Sequence, residues 1–331
     1  MKQANQIIQL AGEAQNVVIT SHRSPDGDSI GSSLGLSRFL KSLGIEATIC
    51  HPDPCPNFLN WAKRSDIILD FENDTAAVKE AMTNADVIFS LDYNGAGRLG
   101  NDMGELLTSA SAAKIMIDHH LNPDNIFDVS VSHPEVGSTS QLIFELIEAS
   151  GNSSKITAEM MEPLYLGIMT DTGSFRFDSV DARTHTIISK MLETGLNHTA
   201  IHENTFDGNR LDKLKLRGYA ISEKLELIPE MKTAIVSLDE AEMERFNYIK
   251  GDTEGLVNIA LSIEGVEMAA FFAEKDGKIK ISFRSKGPAI NELAGDHFQG
   301  GGHKFAAGGV SFDDMNTTLA RFKSVLPDYV K

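Results

Sequence analysis

Four short apolar runs, each followed by a stretch of helical spacing, limit this chain most. "NVVIT" (16–20), "EATIC" (46–50), "ADVIFSL" (85–91) and "AKIMI" (113–117) read as buried strands. "SIGSSLGLSRFLKSLG" and "DTAAVKEAMTN" lie among them, and "STSQLIFELIEAS" follows the fourth, all with the spacing of helices. Strands that are apolar throughout, alternating with helices, predict an α/β domain: a mostly parallel sheet flanked by helices. Ligands of such sheets bind beyond the carboxyl ends of the strands.

The pattern changes along the chain. From about 157 to 224 it is mainly helical. Then come a strand, "MKTAIVSLD", a hairpin turning at Asp276 and Gly277, and a Gly-rich segment. At 331 residues the chain exceeds one ordinary core. The predicted division is a large N-terminal α/β domain over 1–195, a helical connector over 196–228 and a smaller mixed α/β C-terminal domain over 229–331.

Each of the four apolar elements that end in chemistry does so at the expected edge. "SHRSPDGDSIG" places His22, Asp26 and Asp28 just after the first strand, a nitrogen and oxygen donor set suited to manganese or a similar divalent ion. Asp28 is also a candidate cap for the following helix. "VIFSLDYNGAGRLG" places Asp92 past the third run, with Arg98 beyond it. "KIMIDHHLNPD" ends the fourth run in Asp118, His119 and His120, and "LGIMTDTGSFRF" ends a helix face at Asp171, followed by Gly173 and Arg176. Any one of these alone reads as an ordinary cap or loop residue; chance rarely supplies four together.

In this order, H-x-x-x-D-x-D, L-D-x-N, D-H-H and T-D-T-G-x-F-R resemble the DHH phosphoesterases. "GGGHKFAAGG" (300–309) resembles the glycine-rich signature of their associated C-terminal domain. The resemblance spans nearly the whole chain and implies that residues 1–195 are the catalytic domain, with the active site in the cleft between it and the C-terminal domain. It implies two divalent ions, Mn2+ first with Mg2+ or Co2+ as alternatives, one held by His22, Asp26 and Asp92 and the other by Asp28, Asp92, His119 and Asp171, with Asp92 bridging. Among two-domain members it points to hydrolysis of short RNA and removal of a phosphate from 3′-phosphoadenosine-5′-phosphate.

His120 is then the candidate for stabilising phosphoryl oxygens or protonating the departing alkoxide, and Asp118 for orienting a ligand imidazole. Arg284, the Gly301 and Gly302 amides as an anion-binding nest, and His303 are candidates for gripping a terminal phosphate or nucleotide, with Arg98 and Arg176 as further phosphate contacts. The plainer alternative is that these glycines only permit a tight turn.

Charge bounds the partners. A net charge of −17 excludes a protein that coats long duplex DNA. Short single-stranded RNA or DNA oligonucleotides and small phosphorylated nucleotides remain as substrates. The polar start "MKQANQ" and the lack of any apolar run near ~20 residues predict a cytoplasmic protein without a membrane segment. The two cysteines, Cys50 and Cys55 around His51, read as reduced thiols rather than a zinc site. A homodimer is compatible with the sequence, although no residue pattern marks an interface. Hydrolysis of cyclic di-AMP or a linear dinucleotide is the nearest competing activity. Pyrophosphatase activity is disfavoured by the C-terminal signature, and a catalytically silent nucleotide sensor by the filled ligand positions.

Overall fold

The computed structural model describes residues 1–330. The chain divides into two compact units, Met1–Gly208 and Asn209–Lys331.

The first unit is built on a six-stranded sheet, every pairing parallel: β1 (Val17–Thr20), β2 (Ala47–His51), β3 (Ile68–Asp70), β4 (Val87–Leu91), β5 (Ala113–Asp118) and β6 (Val129–Ser132), in the order β3-β2-β1-β4-β5-β6. The four apolar runs are β1, β2, β4 and β5. Alternate residues serve opposite faces. Val17 and Ile19 join the core formed with the helices Ala4–Glu13, Gly27–Ser42, Thr139–Ala149 and Ala158–Asp171, and Val18 joins the smaller core under Thr75–Thr83 and Asn101–Ser109. Chain order reverses between β1 and β4, so the loops after these two strands open a crevice at the carboxyl edge.

The helices Gly27–Ser42 and Ala158–Asp171 are keyed together by glycine. A Cβ at Gly27 would lie 2.3 Å from Thr170 Oγ1, at Gly31 2.4 Å from the Pro163 carbonyl oxygen and at Gly35 2.2 Å from Leu164 Cδ2. These glycines recur every four residues, so they line one face of the helix. From the facing helix, a Cβ at Gly167 would come within 2.6 Å of Asp28 Oδ1. The close approach therefore carries Asp28 and Asp171 toward one point.

The second unit holds a mixed sheet of β7 (Leu225–Ile228), β8 (Thr233–Leu238), β9 (Met268–Lys275), β10 (Lys278–Ser285), β11 (Gly301–His303) and β12 (Ala306–Ser311), in the order β11-β12-β10-β9-β8-β7. Only β8 and β9 run parallel. Helices Ile290–His297 and Met315–Tyr329 share one core with this sheet, and Leu211–Ser222, Glu240–Arg245 and Leu256–Leu261 another. Segment 196–228, expected as a connector, is thus divided. Up to Gly208 it belongs with the first unit. Beyond it, Leu216 and Ala220 pack in the core of the second, and Leu225–Ile228, expected to close the helical connector, is β7. The hairpin turns at Asp276 and Gly277, both left-handed at φ of 54° and 70°, as a two-residue turn requires.

Candidate metal centre

His22, Asp26, Asp28, Asp92, His119 and Asp171 gather at the carboxyl edge of the first sheet. Asp92 is the centre. It follows β4 directly and is held at a φ of +62°, a left-handed conformation that Asp tolerates better than most residues. Its amide donates to the Ile117 carbonyl at 3.2 Å. The carboxylate is buried and faces two imidazoles: Oδ2 lies 3.3 Å from His22 Nε2 and Oδ1 3.4 Å from His119 Nε2. Thr139 Oγ1 donates to Oδ1 at 3.2 Å.

The remaining carboxylates complete two groups. Asp26 Oδ2 is 3.7 Å from His22 Nε2, and Asp171 Oδ2 is 3.3 Å from His119 Nε2. His22, Asp26 and Asp92 form one cluster of donor atoms within metal-holding reach, and Asp28, His119 and Asp171 form another. Asp26, not Asp28, caps the helix Gly27–Ser42: its Oδ1 accepts from the amides of Asp28 and Ser29, leaving Oδ2 for the cluster. Asp28 lies inside the first turn, and its buried carboxylate instead accepts from the amides of Thr139 at 2.6 Å and Ser140 at 2.9 Å. Those amides open the helix Thr139–Ala149, where the helix dipole favours negative charge.

The tautomers of both histidines follow from their partners. Nδ1 of His22 lies 2.8 Å from the Arg23 carbonyl oxygen and Nδ1 of His119 3.1 Å from that of Val136. A carbonyl only accepts, so each Nδ1 carries the proton and each Nε2 presents a lone pair to the carboxylates. Lone pairs facing carboxylate oxygens at 3.3 to 3.7 Å require positive charge between them. A proton or a metal ion satisfies that requirement, and the nitrogen and oxygen donors fit a divalent transition ion.

Proton affinities agree. Burial disfavours a charged His22, but Asp26 and Asp92 outweigh it and Arg98 opposes them only partly, so its pKa is pushed up to about 9. Burial likewise opposes charge on His119, and Asp171 and Asp92 push its pKa well up. Burial would raise Asp92, yet the hydrogen bonds of His119 and His22 hold it well below the usual carboxylate range. Asp28 is driven well up by burial and by the neighbouring charges of Asp92 and Asp171. Asp171 is raised mainly by burial.

Asp118 differs from the expectation. It is fully buried at the end of β5 and accepts from His120 Nδ1 at 2.7 Å, while the ligand candidate His119 is oriented by a backbone carbonyl. Residues two apart on an extended chain share a side, which pairs Asp118 with His120 and turns His119 away. The Asp118 carboxylate only accepts, so the contact fixes a proton on His120 Nδ1.

The outer candidates are divided between the two units. Arg98 is exposed in the 3-10 turn Ala96–Leu99, and its charge reaches His22. Arg176 is exposed, its Nε donating to the Gly173 carbonyl at 2.6 Å. In the second unit, Arg284 donates from Nη1 to the Phe283 carbonyl at 2.9 Å. Gly301 and Gly302 do not form a concave nest; with His303 they make the extended edge strand β11, paired to β12. Close packing accounts for their neighbours: a Cβ at Gly300 would sit 2.0 Å from the Gly308 carbonyl oxygen and one at Gly302 2.6 Å from that of Ala306. Cys50 is buried with its thiol pushed up to about 12, and no metal-holding group among the described residues includes a cysteine.

Thr139 and Ser140, which hold Asp92 and Asp28, escaped the sequence reading. Their signal was the Ser-Thr-Ser run opening a helix, a capping pattern whose amides take an acid from elsewhere in the chain.

Residues 16–168 match the DHH family, N-terminal domain, and residues 232–330 match the DHHA1 domain. The crystal structure of an exopolyphosphatase-related protein from Bacteroides fragilis superposes with a TM-score of 0.94 at 38% sequence identity, over 99% of this chain and 96% of that one. The chain belongs to the DHH family. It is a DHH phosphoesterase carrying the DHHA1 domain, as the ordered motifs implied. The bifunctional oligoribonuclease and PAP phosphatase NrnA of Bacillus subtilis is 28% identical over 320 residues, 95% of each chain. The cyclic-di-AMP phosphodiesterase GdpP of the same organism is 26% identical over 336 residues, but these are only 49% of its length.

Proposed function

We propose that this DHH-family chain hydrolyses short RNA oligonucleotides to mononucleotides and 3′-phosphoadenosine-5′-phosphate to AMP, using two divalent ions. The observation that carries the reading is Asp92, whose two oxygens face the Nε2 atoms of different histidines, the arrangement of a bridging carboxylate. His22, Asp26 and Asp92 would hold one ion, and Asp28, Asp92, His119 and Asp171 the other. Manganese suits these donors best, with magnesium or cobalt as substitutes. When bound, such a pair activates a water and clamps the attacking and leaving oxygens of an in-line displacement at phosphorus.

The chain's own residues do the rest. Asp28 is pinned by two amides, and Asp26 by its cap, so the carboxylates need not reorganise when charge develops. His120, its Nδ1–H donated to Asp118, would in its doubly protonated form donate Nε2–H to a phosphoryl oxygen or give that proton to the departing alkoxide. Arg284 and His303 of the DHHA1 unit, with the open edge at Gly301 and Gly302, are assigned to the substrate's far phosphate or nucleotide, and Arg98 and Arg176 to further phosphates. Full-length similarity to NrnA supports these substrates over cyclic di-AMP. No helix among the described residues is long and apolar enough to cross a membrane, in keeping with the cytoplasmic location we assign.

The test offers the manganese-loaded protein a two-to-five nucleotide RNA, 3′-phosphoadenosine-5′-phosphate, cyclic di-AMP and pyrophosphate in parallel. Turnover of the first two in preference is expected. Preference for cyclic di-AMP or pyrophosphate, or turnover of none, overturns the reading.

A further inference from the structure

The helix Ala158–Asp171 ends in an uncommon turn. Gly173, Ser174 and Phe175 have φ of +56°, +58° and +65°, three successive left-handed residues of which two are not glycine. Such conformations persist where the surroundings impose them, and they gather at functional sites. The amides of Arg176 and Phe177 both donate to the Thr172 carbonyl, at 2.9 and 3.1 Å, and the Val180 amide donates to the Phe177 carbonyl at 3.0 Å, so the segment is tied down on both sides.

The turn sorts two aromatic rings. Phe175 goes inward, with ring centroids 5.7 Å from Tyr165 and 6.4 Å from His185. Phe177 goes outward and is 47% exposed. Its ring lies across Gly173, where a Cβ would be 2.6 Å from Cζ. Gly173 is two residues from Asp171, so the ring lies within about 12 Å of the Asp171 Cα, at ~3.8 Å per residue step. A phosphate, its ribose and its base cover that span. An apolar ring left in water costs free energy, and a backbone fixed by three hydrogen bonds gives the ring little freedom to lose on binding.

We propose that Phe177 is a stacking surface for a nucleobase of the substrate whose phosphate sits at the Asp92 centre. This deepens the proposed function and rests on it. Aromatic stacking accepts any base, since every base presents a π-face. Phe177 therefore selects for nucleotides over base-free phosphates without selecting among sequences. The Arg176 guanidinium, one residue away on the same exposed turn, supplies positive charge to the adjoining phosphate.

The test compares Phe177→Ala with wild type on a ribodinucleotide and on the same dinucleotide lacking one base. The expected result is a KM raised about 5- to 150-fold for the complete substrate, the range to which ~1–3 kcal/mol of stacking converts. The kcat should stay within about twofold, and the KM for the abasic substrate should be unchanged. Phe177→Trp should restore the KM and Phe177→Leu should not. Equal losses on both substrates, an unchanged KM, or full rescue by Leu overturns the proposal. Binding of a 2-aminopurine dinucleotide to the manganese-loaded protein, read by fluorescence quenching, separates this from the phosphoesterase reading. If wild type turns over neither substrate, quenching that depends on Phe177 supports stacking and removes only the activity. Quenching that is absent or indifferent to Phe177 overturns stacking as well.

Discussion

Arg38 donates from Nη1 to the Glu159 carbonyl at 2.7 Å, the carbonyl that Pro163, four residues on, cannot serve. Proline has no N–H, so the helix Ala158–Asp171 would otherwise lose one internal hydrogen bond. The same guanidinium bonds the Ala62 carbonyl at 2.9 Å and Asp66 at 2.8 Å. One side chain of the facing helix thus completes the helix that carries Asp171.

Arg38→Ala is expected to lower stability by about 1.5–3 kcal/mol, the value of a hydrogen bond made by a charged donor, since one largely buried guanidinium serves two carbonyls and Asp66. Denaturant unfolding measures it. A loss below about 0.5 kcal/mol would show that water replaces the guanidinium without cost.

Gly31→Ala is expected to cost about 1–3 kcal/mol by overpacking, because the new methyl meets the backbone oxygen of Pro163 rather than a flexible side chain. Manganese affinity should fall with stability, since the helices carrying Asp28 and Asp171 are forced apart. Gly12→Ala, in open space, is the control. Wild-type metal affinity in a destabilised Gly31→Ala protein would refute the coupling.

Asp92→Asn keeps a residue that tolerates the left-handed backbone and removes the charge shared by both histidines. Turnover is expected to drop by more than the ~10–100-fold typical of losing a partner outside the metal's own ligands, with the circular dichroism spectrum unchanged. Substantial residual activity would exclude a bridging role.

His120→Ala should reduce kcat by about 100- to 10,000-fold, as for loss of a general acid, while bound metal stays constant by elemental analysis. His119→Ala should lose metal. If both variants lose metal alike, His120 is a ligand and not a proton carrier.

The metal-free protein should show a pH dependence of defined sign. The folded-state pKa of His22, about 9, lies above its unfolded value near 6.5. Its proton therefore stabilises the fold fully below about pH 6.5, and that contribution is lost as pH rises through about 9. His119 acts in the same direction. In chelator, the thermal midpoint should fall between these pH values, and manganese should abolish the fall by taking the protons' place. A flat profile in chelator would show that the imidazoles are not held protonated.

The sequence made central things legible and left peripheral ones obscure, for physical reasons. β1 and β4 announced themselves because they are buried throughout, and β2 and β5 because they are buried over their carboxyl-terminal parts. β3 has three half-buried residues and β6 alternates as "VSVS", since edge strands carry weaker patterns. The six ligand candidates were readable because they cluster where four apolar elements end, Asp26 and Asp28 at the helix start just beyond the first. The carbonyls of Arg23 and Val136 that set the histidine tautomers were not, because a backbone acceptor has no residue identity. Gly27, Gly31 and Gly35 looked only like weak helix formers, since their purpose lies in the helix they meet. Gly300 and Gly302 worked in the opposite sense, for the close approach of two strands leaves the same mark in a sequence as an anion nest.

The glycine face of the helix Gly27–Ser42 also bears on how such a chain can change over generations. A bulkier residue at position 31 pushes against backbone, so it injures the core and the catalytic centre in one step. At that position selection for a packed core also guards the spacing of Asp28 and Asp171, two residues it does not see directly.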